Sequence, residues 1–241
     1  MDICRRQLAL VSDIDSSDST LEEPRMRLRT TLLALVTAAT AVVATPVAAQ
    51  ADPVEPFIIG GGTVSSAPWS AQVYRNGSFT CSGTIIASRY VLTARHCTGS
   101  GMTVRIGNVN RGSGTLVSVT TYASRYDLAV LTLASAVSTS YMPLASSNPP
   151  TGSTNSIYGW GMTCYSGCSA STVLKTATVR VTGFSQDAYG GQAIASTRIN
   201  GNAWRGDSGG PQVYNGLQVG VASTADGQSR QYYGSVANSR S

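Results

Sequence analysis

The chain has 241 residues, of which 42% are hydrophobic and 12% charged, and its formal net charge is +5. This length allows one or two domains, and the composition is that of a compact globular protein, which excludes the disordered class. Residues 58–241 contain twelve basic and four acidic residues, so the net charge of this part is near +8. The arginines are scattered singly, however, and no nucleic-acid-binding motif occurs. We therefore expect no nucleic-acid partner.

The start of the chain is predicted to be an extension followed by a secretory signal. Residues 1–25 are acidic and serine-rich, the wrong charge for the beginning of a signal, so we expect a non-native or disordered extension and a true start at Met26. Residues 26–51 contain a basic start, an apolar stretch and an Ala-Gln-Ala cleavage site. The apolar stretch is short and closed by Pro46, so a retained anchor is not expected. These features predict a secreted, extracellular protein with no membrane association after signal removal.

From residue 58 onwards, short runs of valine, isoleucine and threonine alternate with turn residues. No long stretch has helical periodicity, and no repeat or second domain is visible. The pattern predicts an all-β domain. The clearest predicted strands are residues 71–74, 84–86, 128–133, 178–181 and 218–221.

The single histidine, His96, lies far upstream of Ser208, which stands in Gly-Asp-Ser-Gly-Gly at residues 206–210. This motif fits the nucleophile elbow of α/β-hydrolases, but that family needs a histidine after the serine. A subtilisin-like order needs an acid before the histidine, and residues 58–95 contain none. The order histidine, acid, serine is that of chymotrypsin-like proteases. One histidine without HExxH cannot supply the usual hydrolytic zinc ligands, so we expect no metal and no cofactor.

Three acidic residues lie between His96 and Ser208. Asp207 adjoins the serine, and its side chain should point away from a shared histidine. Asp187 lies in a polar, glycine-rich stretch that predicts an exposed turn. Asp127 directly precedes the apolar run at residues 128–133, and a catalytic acid must be shielded from water, so Asp127 is the predicted partner of the histidine.

Five ordered segments make the chain resemble the secreted trypsin-like serine proteases of the chymotrypsin family, in particular the bacterial members. The resemblance extends from residue 58 to nearly the end and implies two six-stranded antiparallel β-barrels with the active site in the cleft between them. His96 and Asp127 would come from the first barrel and Ser208 from the second. The segments are Ile-Ile-Gly-Gly (58–61), Thr-Ala-Arg-His-Cys (93–97), Asp-Leu-Ala-Val-Leu (127–131), Tyr-Gly-Trp-Gly (158–161) and Gly-Asp-Ser-Gly-Gly-Pro (206–211).

The resemblance implies a serine endopeptidase that forms an acyl-enzyme on Ser208, with the backbone N–H groups of Gly206 and Ser208 as the oxyanion hole. Ser223 would lie along the substrate backbone. Asn202 occupies the position of the pocket floor, with Asp226 at the rim, which favours an uncharged apolar or aromatic residue before the cleaved bond. The resemblance also implies a monomer whose partners are protein or peptide substrates and protein protease inhibitors.

Activation and disulfide pairing also follow from the resemblance. Residues 52–57 would be a short activation peptide, and its removal would let the Ile58 amine pair with Asp207. Cys4 precedes the signal, which leaves an even number of cysteines for an oxidising compartment. The implied bridges join Cys81 to Cys97 and Cys164 to Cys168.

The chain departs from the family pattern in several places. Arg95 replaces a small residue before the histidine, Trp204 stands where a pocket cysteine is common, and Thr224 replaces an aromatic residue. The protease domain, residues 58–241, is expected to lack the C-terminal helix of the family. The alternative to an enzyme is a catalytically inactive homologue that acts as a protein-binding module.

Overall fold

The structure is a computed structural model that describes residues 58–240. The predicted extension, signal and activation peptide, residues 1–57, therefore lie outside the described residues. Within 58–240, no helix has the length and apolar character needed to cross a membrane.

Six antiparallel strands form a closed first barrel. The strand Met102–Ile106 shows period-two burial, because the side chains of Met102, Val104 and Ile106 are buried while the two between them are partly exposed. Around the ring the strands follow the order β3, β4, β5, β8, β7, β6. Their bounds are β3 Ser70–Arg75, β4 Ser78–Ala87, β5 Tyr90–Ala94, β6 Met102–Ile106, β7 Thr115–Arg125 and β8 Leu128–Leu133.

A second ring of six antiparallel strands closes through pairing of its first and last members, so the predicted fold class is confirmed. The strands of this ring follow the order β11, β15, β14, β13, β9, β10. Two short strands, β1 and β2, precede the barrels in the chain. Strand β1 pairs with β12, and β2 pairs with β10. The bounds are β1 Ile59–Gly60, β2 Gly62–Thr63, β9 Thr154–Gly159, β10 Lys175–Gln186, β11 Gln192–Arg198, β12 Gly201–Asn202, β13 Pro211–Tyr214, β14 Leu217–Ala225 and β15 Arg230–Ser235.

Each barrel contains a tight hairpin with the same two residues at its tip. Asn76-Gly77 joins β3 to β4 and Asn215-Gly216 joins β13 to β14, and all four residues have positive φ. Asparagine and glycine tolerate this conformation best, and it matches the twist of the paired strands. Local sequence therefore sets the register of one hairpin in each barrel.

The end of the described chain differs from the sequence-based expectation, because a short helix, α1, spans Val236–Arg240. Val236 is fully buried and packs in the hydrophobic cluster of the first barrel. Ser239 Oγ donates to Ser235 O at 2.8 Å, and the Arg240 guanidinium donates to the carbonyl oxygens of Leu144 and Ala145. The expectation that the C-terminal helix is absent is therefore wrong, since Val236 supplies the apolar contact that fixes its first turn.

Candidate active site

The structure brings His96 and Asp127 together at the end of the first barrel. His96 lies in a 3-10 helix, Arg95–Cys97, directly after β5, and Asp127 directly precedes β8, which pairs with β5. The ring nitrogen His96 Nδ1 is 2.9 Å from Asp127 Oδ2 and 3.1 Å from Oδ1. The backbone N–H of His96 also donates to Oδ1 at 3.1 Å. Because the carboxylate fixes the proton of a neutral ring on Nδ1, Nε2 is left free to act as a base.

Ser223 holds the other side of the Asp127 carboxylate. Its hydroxyl donates to Asp127 Oδ2 at 2.5 Å and accepts from the backbone N–H of Ala188 at 3.0 Å. Ser223 also lines the cavity beside Ser208. The second barrel therefore contributes a hydrogen bond to the acid of the first.

The sequence predicted an exposed turn at Asp187. The residue does lie in a turn, but only 7% of it is exposed to solvent. Its Oδ2 accepts from the backbone N–H of Asp127 at 3.1 Å, and its Oδ1 accepts from the N–H groups of Tyr189 and Gly191 at 2.9 Å each. The expectation of exposure was wrong because the glycine-rich turn folds around the carboxylate and presents it to Asp127. The Arg95 guanidinium, 4.3 Å from the Tyr189 ring, covers the same turn.

Ser208 is placed by its backbone. Its carbonyl oxygen accepts from Ser82 N at 2.9 Å, and Ser82 follows Cys81, which is bridged to Cys97 next to the histidine. Within the described chain the Ser208 hydroxyl makes no hydrogen bond with His96. Hydrogen bonds between catalytic groups are often long without substrate and tighten in the complex.

The backbone N–H groups of Gly206 and Ser208 have no acceptor within residues 58–240. Gly206 has φ +97°, and a Cβ there would lie 3.0 Å from Gly161 Cα. Only glycine adopts this conformation readily in this space. The two unpaired donors, next to the serine hydroxyl, are what an oxyanion hole requires.

Asp207 is buried against the segment Tyr-Gly-Trp-Gly at residues 158–161. Its carboxylate accepts from Gly161 N at 2.7 Å and Trp204 N at 2.9 Å, and a Cβ on Gly159 or Gly161 would collide with it. Burial raises the pKa of Asp207 from 3.8 to about 7, although these two hydrogen bonds act in the opposite direction. Ile58, only 1% exposed, lies in the core of the second barrel. No hydrogen bond or ion pair joins Ile58 to Asp207 in this uncleaved chain, where the Ile58 nitrogen is a neutral amide.

A cavity of about 290 Å³ opens beside Ser208. Asn202, which the resemblance placed at the pocket floor, is fully buried and is not among the residues that line this cavity, whereas its neighbour Ala203 forms part of the wall. Asp226 is exposed and is not among the residues that line the cavity, and its Oδ1 accepts from three backbone N–H groups of its own loop. The lining residues are Ala203, Trp204, Arg205, Ser208, Ala222, Ser223, Thr224 and Ala225.

Trp204 connects two loops around the cavity. Its ring stacks on Tyr165, with centroids 5.1 Å apart, and its Nε1 donates to Tyr165 O at 3.1 Å. Tyr165 lies in the small loop closed by Cys164–Cys168, so both bridges that the resemblance implied are present. A Cβ on Gly227 would lie 2.7 Å from the Trp204 ring, so the indole also packs against that loop. An aromatic stack therefore occupies the place of the pocket cysteine.

The sulfur atoms of Cys81 and Cys97 lie near His96, and the three donor groups fall within 4.8 Å of one another. Both sulfurs are already joined to each other in the bridge, so only the imidazole could bind a metal ion. This donor set does not fit a metal centre.

Two closed six-stranded barrels with histidine, acid and serine at their junction define the chymotrypsin-like class. The chain belongs to the Trypsin family, whose model matches residues 58–240. Trypsin delta of Drosophila erecta is 36% identical over 208 residues, 74% of this chain and 82% of the relative, and Trypsin delta of Drosophila melanogaster is 34% identical over the same shares. These relatives are insect enzymes, so they do not support the expected bacterial membership. The chain is a serine endopeptidase that acts on proteins.

The fold also matches solved structures. A mutant of human heparin binding protein (CAP37) aligns with a TM-score of 0.67 and 25% identity, over 75% of this chain and 92% of that chain. Neuropsin, a serine protease expressed in the limbic system of mouse brain, aligns with a TM-score of 0.63 and 21% identity, over 70% and 90% of the two chains. At 21% identity the second match shows the fold alone.

Sequence reasoning missed Asp187 as a partner of Asp127, and it missed the cavity-lining residues Ala203, Arg205 and Ala225. Isolated alanine and arginine residues belong to no motif, so no sequence signal marks them. For Asp187 a signal was present: a carboxylate at the start of Asp-Ala-Tyr-Gly-Gly can bind the N–H groups of its own turn. Such a turn needs no solvent to satisfy the carboxylate.

Proposed function

We propose that the chain is a secreted serine endopeptidase in which Ser208 is the nucleophile, His96 the general base and acid, and Asp127 the residue that orients the imidazole. The observation that carries this proposal is the pair of His96 Nδ1 and Asp127 Oδ2, 2.9 Å apart, with Asp127 buried and further bound by Ser223. His96 Nε2 would take the proton of Ser208 as the hydroxyl oxygen attacks the substrate carbonyl, and would then pass it to the leaving amine.

The negative oxygen of the tetrahedral intermediate would be bound by the N–H groups of Gly206 and Ser208, each worth about 3 kcal/mol in the transition state. Substrate side chains would enter the cavity beside Ser208, with Ser223 along the substrate backbone. Removal of residues 52–57 would free the Ile58 amine for Asp207. The same proposal includes secretion through residues 26–51, a monomeric state and protein inhibitors as partners.

A fluorophosphonate probe tests the assignment directly, because it reacts with a serine only when that serine is activated. Purified protein that begins at Ile58 should become labelled, with the adduct on Ser208 by peptide mass spectrometry. Ser208→Ala should abolish labelling, and Ser208→Ala or His96→Ala should each lower kcat by a factor on the order of 10⁶. A folded protein with both disulfides intact that never labels would instead support the inactive, protein-binding alternative.

A further inference from the structure

The hydroxyl of Ser82 lies against the backbone of the segment that contains Ser208. Ser82 is on β4 of the first barrel, and only 1% of it is exposed. Its Oγ donates to the carbonyl oxygen of Gly206 at 3.0 Å and accepts from the backbone N–H of Trp160 at 3.1 Å. Its own N–H donates to the Ser208 carbonyl oxygen at 2.9 Å. One residue of the first barrel thus binds both residues whose N–H groups would form the oxyanion hole.

The peptide group that joins Gly206 to Asp207, which we call the central peptide, separates the two donors of the oxyanion hole. One donor belongs to the peptide group before Gly206 and the other to the peptide group before Ser208. Each peptide group is planar and rotates as a unit, so the orientation of the central peptide sets the angle between the two donors. Its N–H donates to Trp204 O at 3.0 Å, and its carbonyl oxygen accepts from the Ser82 hydroxyl. Both ends of the central peptide are therefore fixed.

Ser82 is the one side chain that holds this backbone by a carbonyl oxygen. The carbonyl oxygens on either side, of Arg205 and Asp207, accept from backbone N–H groups. In the described part of the chain the Gly206 carbonyl oxygen has no partner other than the Ser82 hydroxyl. Glycine rotates about φ and ψ at little steric cost, so Gly206 is the joint about which the central peptide can turn. Without the hydroxyl, nothing in residues 58–240 would hold the carbonyl end of that peptide.

We propose that Ser82 is a positioning residue for the oxyanion hole, a role that rests on the proposed endopeptidase function. Its hydroxyl holds the central peptide in one orientation, so that the N–H groups of Gly206 and Ser208 keep a fixed spacing and direction. Such donors act mainly in the transition state, because the substrate oxygen carries its full negative charge only there. Loss of the hydroxyl should therefore lower kcat and leave KM nearly unchanged.

Two substitutions test this role, because Ser82→Ala and Ser82→Gly remove the hydroxyl without adding an atom. In each variant kcat, counted per site that the fluorophosphonate probe titrates, should fall about 10- to 100-fold, with KM within about 2-fold of wild type. Ser70→Ala is the matched control. Ser70 is also a first-barrel serine that is 1% exposed, and its hydroxyl donates to a backbone carbonyl oxygen outside the Ser208 segment, that of Asn108. A kcat of Ser82→Ala within about 3-fold of wild type, or an equal fall in Ser70→Ala, overturns the proposal.

A peptide aldehyde and the matching peptide alcohol separate an effect on the oxyanion hole from general damage to the cleft. The aldehyde forms a hemiacetal with Ser208 whose oxygen occupies the oxyanion hole, whereas the alcohol binds without forming a bond. Ser82→Ala should weaken inhibition by the aldehyde at least about 10-fold and inhibition by the alcohol by no more than about 2-fold. Equal weakening of the two inhibitors would contradict a positioning role at the oxyanion hole.

A measurement without catalysis separates this inference from the proposed function. The Asp207 N–H belongs to the central peptide and is bonded to Trp204 O, so its hydrogen exchange, followed by NMR, reports how freely that peptide moves. In Ser82→Ala this exchange should be at least about 5-fold faster, while the amides of β11 exchange as in wild type. Equal exchange at Asp207 in the two proteins refutes the inference, even if wild-type protein reacts with the fluorophosphonate probe. Faster exchange in a protein that never reacts with the probe would leave the positioning of the peptide standing and reject only the catalytic function.

Discussion

The histidine–acid side of the cleft and the cavity beside Ser208 are held together by different means. Every polar group of Asp127 has a partner: the carboxylate binds His96 and Ser223, the backbone N–H binds Asp187, and the backbone carbonyl accepts from Arg95 N. The cavity wall is held by the Trp204–Tyr165 stack, and behind Ala203 the buried atoms Asn202 Oδ1 and Gln231 Nε2 have no hydrogen-bond partner within residues 58–240. The hydrogen-bonding groups of Asp127 are thus all paired, whereas the supports of the cavity wall leave two buried polar atoms unpaired.

This difference follows from what each region must do. An imidazole that transfers protons needs one tautomer and one orientation, and only fixed, fully satisfied partners provide them. A specificity pocket needs only to complement a substrate side chain, so different residues and different supports can serve. The departures from the family pattern at Trp204 and Thr224 both lie in the cavity wall.

Asp207 supports the cavity side, because its carboxylate accepts from the backbone N–H of Trp204, and release of Ile58 should produce the largest change in stability. In the uncleaved chain the pKa of Asp207 is raised from 3.8 to about 7 by burial. The Asp207 carboxyl of the folded chain therefore resists ionisation. As pH rises from about 4 to 7, this carboxyl lowers the free energy of unfolding by about 4 kcal/mol in total. Cleavage before Ile58 would supply a buried cation, which should remove most of this loss.

The measurement is the free energy of unfolding against pH for the chain beginning at Asp52 and the chain beginning at Ile58. The cleaved form should be more stable by a few kcal/mol near pH 7 to 8. The paired amine should have a pKa raised above about 8, so its contribution is complete below that value and is lost as pH rises through the folded pKa. Asp207→Asn should remove the pH 4 to 7 slope of the uncleaved chain. Identical profiles for the two forms would contradict the ion pair.

Asp187→Asn probes the histidine–acid side. The amide cannot accept from Asp127 N–H on one side and from the turn N–H groups on the other, so Asp127 should lose a fixed support. We expect kcat/KM to fall by about 10- to 100-fold, mainly through kcat, as for other partners that orient a catalytic or metal-binding group. Asp226→Asn is the matched control, because Asp226 also binds the N–H groups of its own turn but is exposed and has no link to Asp127. An equal effect of the two variants on kcat would show that Asp187 serves only its own turn.

The sequence predicted the histidine–acid side far better than the cavity. The order of His96, Asp127 and Ser208 can be read from local motifs. The strands at residues 128–133 and 218–221 can be read from short β-rich runs, which are buried almost throughout. The contact of Gln231 with the N–H of the wall residue Ala203 could not be predicted, because it depends on the register of β15 against β14. Val236 was missed for a similar reason, since its burial depends on the first barrel, far away in sequence.

Tyr165→Ala should have the smallest effect and should be confined to the cavity. The substitution removes the ring that stacks on Trp204 while leaving the Cys164–Cys168 bridge and the Tyr165 carbonyl in place, and such a stack contributes about 0.5–1.5 kcal/mol. Because Trp204 lines the cavity but touches neither His96 nor Asp127, we expect KM to rise about 2- to 10-fold with kcat nearly unchanged. Tyr165→Phe keeps the ring and should behave like wild type. As a control, Tyr122→Ala removes another exposed tyrosine, from the first barrel. A fall in kcat at constant KM would mean that the stack supports the chemistry itself, and the separation between the two regions would then fail.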